Sequence, residues 1–451
     1  MKLAVVGCGY VGLVSGVGMA SFGHYVVGIE VDPDRRRRIA GGEPPFHEPG
    51  LREMLASQLG EGRLRMSSEL ADAADADVVF LAVQTPPGPD GAIDLSFLES
   101  AASDLAEAFA STPERKRVVA VRSTVVPGTT DNLLRPILGN SAAVASNPEF
   151  LREGSAIQDF LQPDRVVAGC DEEWARKLLA EVYRPSGAPL VFTSAATAEL
   201  AKYTSNAFLA TLVSFSNEIA HVCESLPGVD VEEVLGILHA DHRLSVVADG
   251  VNVRPGILSY LKAGCGYGGS CLPKDLSALI AAGEAAGGEL PLLRAVREVN
   301  DAKPARVVAA ARQALGGLEG RTVAVLGLAF KAGTDDLRSS PGLSIVDECL
   351  ERGAAVRVYD PLVSEPALQG RLAGPVETAD DLEGALAGAD ACIITTNAEE
   401  IVALGGLITN GRHSGLVVVD GRRVLDPDAL GDVVHVAVGR APAFLAPGVG
   451  S

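Results

Sequence analysis

The segment from Gly266 to Asp275 brings a thiol, an ammonium and a carboxylate close together in the chain. It reads Gly-Tyr-Gly-Gly-Ser-Cys-Leu-Pro-Lys-Asp, so Cys271 follows glycines and precedes Lys274 and Asp275. Glycines let a bound molecule approach the backbone closely, and a nearby ammonium favours the thiolate, the nucleophilic form of cysteine. The segment is therefore a candidate loop for covalent catalysis. The alternative is a buried structural cysteine beside a tight turn.

The N-terminal segment has the pattern of a dinucleotide-binding unit. The apolar run over residues 2–7 predicts a buried parallel strand. The spacing G-x-G-x-x-G, in which backbone N–H groups can bind a pyrophosphate, follows at Gly7, Gly9 and Gly12. A second predicted strand, over 25–29, ends at Glu30, where a carboxylate can bind a ribose diol. Since a carboxylate repels a 2′-phosphate, the sequence favours NAD over NADP.

Four consecutive arginines, residues 35–38, follow Glu30 closely. An arginine can bind a 2′-phosphate, so NADP stays an alternative. We expect most of the run to be the solvated start of a helix and Arg35 to lie near the adenosine ribose.

Three further predicted strands end in polar turns. Strands over 77–83 and 118–122 lead to Thr85 and Thr124, and a strand over 142–146 leads to the segment 147–154. Because ligands bind outside the carboxyl ends of parallel strands, Thr85 and Thr124 are candidates for cofactor or water contact. Glu149 and Glu153 would share one face if their segment were helical.

Long helical patterns begin at Thr197, and Lys202 and Asn206 are one turn apart within them. Most lysines of amphipathic helices are surface residues, but this one lies between Ala201 and Tyr203 and shares its stripe with an amide. We therefore expect a polar site facing a cleft. Helical segments between two sheet domains commonly form a hinge or a dimer core, and ligands favour such junctions.

A second α/β unit begins at Arg321, with predicted strands over 321–326, 355–359, 391–395 and 416–419. Its first turn lacks the full glycine triad, so it is not expected to hold a second dinucleotide in the same way. Lys331 and Arg338, with two aspartates between them, place cations beside a strand end. These cations could bind the phosphates of a nucleotide-bearing substrate.

Length and composition limit the class of protein. A chain of 451 residues with 47% hydrophobic residues and 50 glycines suits a multidomain α/β enzyme. The formal charge of −20 argues against a nucleic-acid or anionic-membrane partner. The seven scattered cysteines indicate neither a disulfide framework nor a metal site, and they fit a reducing cytoplasm. No apolar stretch predicts a membrane span.

Taken together, these motifs occur in an order that resembles the UDP-glucose/GDP-mannose dehydrogenase family over the whole chain. Besides the glycine turn, the segments that carry the resemblance are Glu48 to Leu51, Ser123 to Val125, Asn147 to Gly154, Glu199 to Asn206, Gly268 to Asp275 and Gly327 to Arg338. It implies two Rossmann-like doubly wound domains, an NAD-binding one over 1–196 and a UDP-sugar-binding one over 303–451. A central helical domain over 197–302 would join them and form a homodimer.

The resemblance also implies two successive NAD-dependent oxidations of a sugar C6 hydroxymethyl group to a carboxylate. Cys271 would hold the C6 carbon as a thiohemiacetal and then as a thioester, and Lys202 with Asn206 would stabilise negative charge on the C6 oxygen. Glu149 would transfer protons or activate water, together with Thr124 and Asp275.

Further ligand contacts follow from the resemblance alone. The cofactor would also meet Tyr10, Val11, Glu153, Lys274 and Arg338. The base, phosphates and sugar of the substrate would also meet Phe150, Leu151, Arg152, Tyr260, Leu261, Lys262, Gly264, Gly268, Lys331 and Arg254.

Within the family, Tyr260 to Gly264 looks like the UDP-glucose branch, so UDP-glucose is the expected substrate. The family arginine that crosses the dimer has two candidates here, Arg243 and Arg254, separated by an apparent insertion. dTDP-glucose and GDP-mannose therefore remain alternatives. A two-electron hydroxyacid dehydrogenase would need neither Cys271 nor a second α/β domain. A non-catalytic nucleotide-binding protein with the same fold is the remaining alternative.

Overall fold

The structure, a computed structural model, describes residues 1–248, 251–253, 255–408, 413, 415–427, 430 and 433–442. The chain forms two compact units by its internal contacts. Unit 1 comprises Met1–Ser205 and Ser277–Glu289, and unit 2 comprises Asn206–Leu276 and Leu290–Ser451. Because this division groups the chain in two, the three-domain limits expected at 196 and 302 stay a prediction.

Unit 1 is built on an eight-stranded sheet. Its strands are β1 (Lys2–Val6), β2 (Tyr25–Ile29), β3 (Leu64–Ser67), β4 (Val78–Leu81), β5 (Val118–Val121), β6 (Ala143–Ser146), β7 (Val166–Gly169) and β8 (Leu190–Thr193). Their order across the sheet is β3-β2-β1-β4-β5-β6-β7-β8, and only β6 and β7 pair antiparallel among these described strands. The order reverses between β1 and β4, which is the switch point where such sheets bind ligands.

Helices cover both faces of this sheet. They are α1 (Tyr10–Ser21), α2 (Pro33–Ala40), α3 (Leu51–Gly60), α4 (Ser96–Phe109), α5 (Arg135–Leu138), α6 (Ala156–Leu161) and α7 (Glu173–Tyr183). Side chains alternate along a strand, so Leu3 and Val5 join one apolar cluster while Ala4 and Val6 join another. The apolar strands of the sequence are therefore buried on both sides, as a parallel sheet requires.

The middle of the chain is helical, as the sequence predicts from Thr197 onward. Its elements are α8 (Ala195–Glu224), α9 (Val231–His239), α10 (Leu272–Ala285), α11 (Pro291–Asp301) and α12 (Lys303–Leu315). The segment interpreted as an insertion contains an antiparallel hairpin of β9 (Val246–Ala248) and β10 (Val251–Val253). Arg254, predicted to contact the substrate, lies outside the described residues.

Unit 2 contains a six-stranded parallel sheet, which confirms the second nucleotide-type fold. The strands are β11 (Thr322–Leu326), β12 (Ala355–Tyr359), β13 (Glu377–Thr378), β14 (Ala391–Ile394), β15 (Val417–Asp420) and β16 (Val434–Ala437). Their order, β13-β12-β11-β14-β15-β16, repeats the arrangement of the first six strands of unit 1. The remaining helices are α13 (Pro341–Glu351), α14 (Glu365–Leu368), α15 (Leu382–Leu386), α16 (Glu399–Val402) and α17 (Leu404–Ile408).

Candidate active site

The glycine turn after β1 has the shape of a phosphate-binding turn. Gly7 has φ +88°, and a Cβ there would lie 2.8 Å from the carbonyl oxygen of Ala82, so only glycine fits. Gly9 is the N-cap of α1, and no side chain of the described chain caps that helix start. A Cβ built on Gly9 would meet no described atom within 4 Å. Uncapped backbone donors beside open space fit the pyrophosphate of a dinucleotide.

Glu30 lies at the end of β2, as predicted, and is 4% exposed. Its carboxylate accepts hydrogen bonds from the backbone N–H groups of Cys8, at 3.1 Å, and Asp32, at 2.9 Å. The guanidinium of Arg35 lies 3.3 Å from the same carboxylate. Arg37 and Arg38 are exposed, as expected for the solvated part of the run. Glu30 and Arg35 therefore lie together at the place where the sequence predicts the adenosine ribose of the cofactor.

Glu48 joins the glycine turn to the segment after β6, a role that the sequence interpretation missed. It is 6% exposed. Its carboxylate accepts three hydrogen bonds: from the Tyr10 hydroxyl at 2.5 Å, from the Gly154 N–H at 2.7 Å and from the Ala156 N–H at 2.8 Å. The acid thus caps α6 and fixes Tyr10, a predicted cofactor residue. Its presence in a motif shared with the family was the signal available in the sequence.

We expect Glu48→Gln to weaken both folding and NAD binding. An amide has one acceptor oxygen, so at least one buried donor loses its partner, which typically destabilises by about 1–3 kcal/mol. Urea unfolding and NAD titration measure the two effects, with the exposed Glu53→Gln on α3 as the control. An unchanged affinity for NAD, with or without a change in stability, would show that Glu48 does not shape the cofactor site.

The polar turns after β4 and β5 are cross-linked. The Thr85 hydroxyl donates to the carbonyl of Thr124 at 3.0 Å. The Ser123 hydroxyl donates to the carbonyl of Val83 at 2.6 Å. Both turns therefore form one continuous edge at the carboxyl ends of the strands, and the contact of Thr85 and Thr124 with the cofactor stays a prediction.

Residues 147–155 lie outside the helices and strands of the described chain, and α6 begins only at Ala156. The helix that would put Glu149 and Glu153 on one face therefore does not form. Pro148 disfavours the helical conformation of the residue before it, and Gly154 has φ +83°. The start of the segment is fixed by Asn147. Its side-chain oxygen accepts a hydrogen bond from Arg122 at 3.0 Å, and its side-chain nitrogen donates one to the carbonyl of Val167 at 2.7 Å.

Lys202 and Glu149 form a buried ion pair. The ammonium of Lys202 lies 3.0 Å from the carboxylate of Glu149, and both side chains are 4% exposed. Leu151 N–H donates to the other oxygen of Glu149 at 2.5 Å. The ammonium also lies 5.5 Å from the ring centroid of Phe150. A lysine and a glutamate are buried together only when each compensates the charge of the other, so the helix residue and the loop residue form one polar site.

Glu199, one turn before Lys202 on α8, binds the turn that follows β5. Its carboxylate accepts from the N–H of Gly128 at 2.6 Å and from the N–H and hydroxyl of Thr130 at 2.8 and 2.6 Å. Burial raises the pKa of Glu199, and these three hydrogen bonds oppose that shift. The acid therefore anchors the beginning of α8 to the segment that carries Thr124.

In unit 2, Cys271 precedes α10, and its carbonyl accepts the N–H of Asp275 at 2.8 Å. All seven cysteines lie within the described residues and no two of them form a disulfide, and Cys271 is the one that is not buried. Burial raises the pKa of the others, for example to about 11 for Cys170 and about 12 for Cys349. The start of a helix favours a thiolate. Cys271 is therefore the thiol best placed to act as a nucleophile.

Asp275 is 1% exposed and has two polar partners. It accepts from the amide of Asn206 at 2.6 Å and from the ammonium of Lys274 at 2.7 Å. Asn206, Lys274 and Asp275 thus form one connected group, and two of its members, Lys274 and Asp275, follow Cys271 closely in the chain. The effect of Lys274 on the thiol, and its contact with NAD, stay predictions.

The cysteine loop and the glycine at 264 before it are fixed by contacts within unit 2. Gly264 N–H donates to Asn217 at 2.8 Å, and Gly269 N–H donates to the carbonyl of Arg338 at 2.9 Å. A Cβ on Gly268 would lie 2.9 Å from the ring of Pro341 and 3.1 Å from the side chain of Phe330. The loop is therefore packed tightly against the segment that follows β11.

The predicted cationic residues differ in their surroundings. Arg338 donates to Asp336 through two nitrogens, at 2.8 and 2.6 Å. Lys331 lies 5.4 Å from the ring centroid of Phe330. Arg152 pairs with Asp159 at 2.6 Å, and Arg243 pairs with Asp241 at 2.5 Å with its side chain 88% exposed.

Three more of the predicted substrate-binding residues precede the cysteine loop. Tyr260 is partly buried, Leu261 is 5% exposed and Lys262 is exposed. The carbonyl of Leu261 accepts from His239 at 2.9 Å. Arg422, which the sequence interpretation did not single out, lies beside Gly264, since a Cβ there would be 3.1 Å from its guanidinium. It therefore places a cation beside Gly264.

The described residues contain neither a candidate membrane span nor a candidate metal centre. No helix among them is long and apolar enough to cross a membrane. Within the same ranges, no group of three or more His, Cys, Asp or Glu side chains is placed to hold a metal ion.

The glycine turn, the buried acid after β2 and the switch point define a protein of the dinucleotide-binding Rossmann class with a second α/β domain. Models of the UDP-glucose/GDP-mannose dehydrogenase family match along the chain. The NAD binding domain matches residues 1–186, the central domain 196–302 and the UDP binding domain 324–427. The chain belongs to this family, and it is an NAD-dependent dehydrogenase.

Known relatives agree with this assignment. The chain is 39% identical over 438 residues to UDP-glucose 6-dehydrogenase AglM of Haloferax volcanii, covering 94% of this chain and 97% of that protein. It is similar to the structure of a UDP-glucose dehydrogenase from Pyrobaculum islandicum, with 40% identity, a TM-score of 0.88 and 98% of each chain covered. A UDP-D-ManNAc dehydrogenase from Pyrococcus horikoshii has 30% identity, a TM-score of 0.84 and coverage of 98% and 99%.

Proposed function

We propose that this protein oxidises UDP-glucose to UDP-glucuronate with two NAD and one water, through a thiohemiacetal and a thioester on Cys271. The observation that carries the proposal is the placement of Cys271, the one cysteine that is not buried, directly before α10, in whose first turn Lys274 and Asp275 follow. The identity to UDP-glucose 6-dehydrogenases over nearly the full chain supports the choice of sugar nucleotide.

NAD, when bound, accepts one hydride in each of the two oxidations. The residues proposed to hold it are those of the glycine turn and of the strand ends, with Glu153, Lys274 and Arg338 as further contacts. The carboxylate of Glu30, beside Arg35, would accept hydrogen bonds from the ribose hydroxyls. The backbone N–H groups of Gly9, Tyr10 and Val11 would donate hydrogen bonds to the pyrophosphate, because no described side chain caps them.

In the first oxidation, the C6 hydroxyl must lose a proton while the carbon loses a hydride. Lys202 is proposed to stabilise the negative charge that develops on the C6 oxygen, with Asn206 as a second donor. Glu149 lies 3.0 Å from the Lys202 ammonium and is proposed to relay the proton, with Thr124 and Asp275 ordering a water.

In the second oxidation, the Cys271 thiolate adds to the C6 aldehyde and forms a C–S bond, and the carbonyl oxygen gains a proton. Loss of a second hydride and of that proton leaves a thioester. Water, deprotonated by Glu149, then attacks the acyl carbon and breaks the C–S bond. The carboxylate leaves, and the thiolate of Cys271 is restored.

The number of NADH formed per sugar consumed tests this function. We expect two NADH per UDP-glucose, with clearly slower turnover of dTDP-glucose and GDP-mannose. UDP-N-acetylmannosamine is a further comparison, because the Pyrococcus horikoshii neighbour carries that activity in its name. One NADH per sugar would remove the covalent role of Cys271. No NADH with any of these sugars would favour a nucleotide-binding protein without turnover.

The homodimer expected from the family is proposed to form on α8. Three large apolar side chains of that helix, spaced seven residues apart, are exposed. Their exposed fractions are 54% for Phe208, 45% for Phe215 and 50% for Val222. An apolar stripe of this kind is commonly covered by a partner. The molar mass in solution tests this proposal. The cytoplasmic location expected from the cysteines also stays a prediction.

A further inference from the structure

The loop that carries Cys271 is held by a carboxamide of helix α11, and we propose that Asn300 is a positioning residue for the Cys271 thiol. The inference rests on the proposed function, in which that thiol attacks the C6 aldehyde. Asn300 itself reacts with nothing. It acts by fixing the backbone from which the thiol projects.

Asn300 binds both polar groups of one loop residue. Its side-chain oxygen accepts the N–H of Tyr267 at 2.8 Å, and its side-chain nitrogen donates to the carbonyl of Tyr267 at 3.1 Å. These are the two bonds that a residue of an antiparallel neighbouring strand would make. They fix the peptide planes on both sides of Tyr267, which is 7% exposed. Buried backbone groups need such partners.

The glycine before Tyr267 makes this approach possible. Gly266 has φ +102°, and a Cβ there would lie 2.8 Å from the side-chain oxygen of Asn300. Any larger residue would therefore both strain the backbone and displace the asparagine. The loop sequence and Asn300 fit one another at this point.

A second anchor lies two residues further along. Gly269 N–H donates to the carbonyl of Arg338 at 2.9 Å, and Cys271 then accepts the first backbone hydrogen bond of α10 from Asp275 at 2.8 Å. The chain between Tyr267 and α10 is thus held at three successive points. Since a helix start favours a thiolate, the direction of the thiol relative to that start governs its reactivity.

The test measures the reactivity of the Cys271 thiol separately from catalytic turnover. Iodoacetamide should label Cys271 before the six buried cysteines, and peptide mass spectrometry gives its rate from pH 6 to pH 10. Asn300→Ala should raise the pH of half-maximal alkylation and change the rate at pH 7 by about threefold or more. It should lower kcat about 10- to 100-fold, because small misplacements of reacting groups have effects of this size. KM for NAD should change by less than about twofold.

Two matched variants separate positioning from folding. Asn300→Asp keeps the acceptor for Tyr267 N–H but places an oxygen against the Tyr267 carbonyl, so an intermediate effect is expected. Glu298→Gln, at an exposed position of the same helix, should behave as the wild type. Lys274 and Asp275, the charged groups beside the thiol in sequence, are retained in every variant.

Alkylation and kcat unchanged in both Asn300 variants would overturn the inference, as would a lower Tm with no change in either. If Asn300→Ala does not fold, Asn300→Asp decides. Failure of the proposed function has a different signature. In that case the wild-type protein would still form the acid after complete alkylation of Cys271, whatever the Asn300 variants do.

Discussion

Replacing Cys271 by serine should reduce formation of the sugar acid on the order of 10³-fold or more, a loss typical of removing a catalytic nucleophile. A serine hydroxyl is scarcely ionised at neutral pH, and its ester is a poorer acyl carrier than a thioester. The first oxidation does not need the thiol. NADH per sugar should therefore fall from two towards one, and hydroxylamine should trap an aldehyde.

The control for this variant is Cys223→Ala, which removes a thiol that is 2% exposed on α8. A buried cysteine acts as a small apolar residue, so the control should keep two NADH per sugar. NAD affinity should be the same in wild type and Cys271→Ser, because the glycine turn is unchanged. Acid formed by Cys271→Ser at the wild-type rate would contradict the covalent step.

Replacing Lys202 by alanine should lower kcat about 10²- to 10³-fold, the range seen when an oxyanion donor is removed. It should also destabilise the fold, because the buried carboxylate of Glu149 would lose its cation. Removing one partner of a buried ion pair typically costs about 3–5 kcal/mol. Steady-state kinetics with NAD and sugar varied separately, together with urea unfolding, measure both effects.

The double variant Lys202→Met with Glu149→Gln separates these two effects. It removes both charges while keeping similar volumes, and such replacements are often neutral for stability. The free energy of unfolding should recover while kcat stays low. If kcat recovered with the stability, the pair would be structural only. A change confined to KM for NAD would contradict the oxyanion role.

The sequence alone determined most strands of the two sheets and the dinucleotide turn. Apolar runs of strand length and glycines at fixed spacing are local signals, since each residue contributes through its own conformation and burial. The strand predicted over 25–29 is β2 itself, and the strand predicted over 355–359 is β12. The helical stretch beginning near Thr197 was likewise predicted from its period.

One condition considered from the sequence is not met. The carboxylates at 149 and 153 would share a face only in a helix, whereas Pro148 and Gly154 keep that segment extended or turning. The i,i+4 spacing by itself says only what a helix would do if it formed.

Only the tertiary structure decided which polar groups meet. Helical period can say that Lys202 and Asn206 face inward, but it cannot say that Lys202 pairs with Glu149 or that Asn206 binds Asp275. Glu48 and Asn300 act on loops distant in sequence. Such pairs form because a buried charge or amide must find a partner, and which partner is near depends on how the strands are ordered in space.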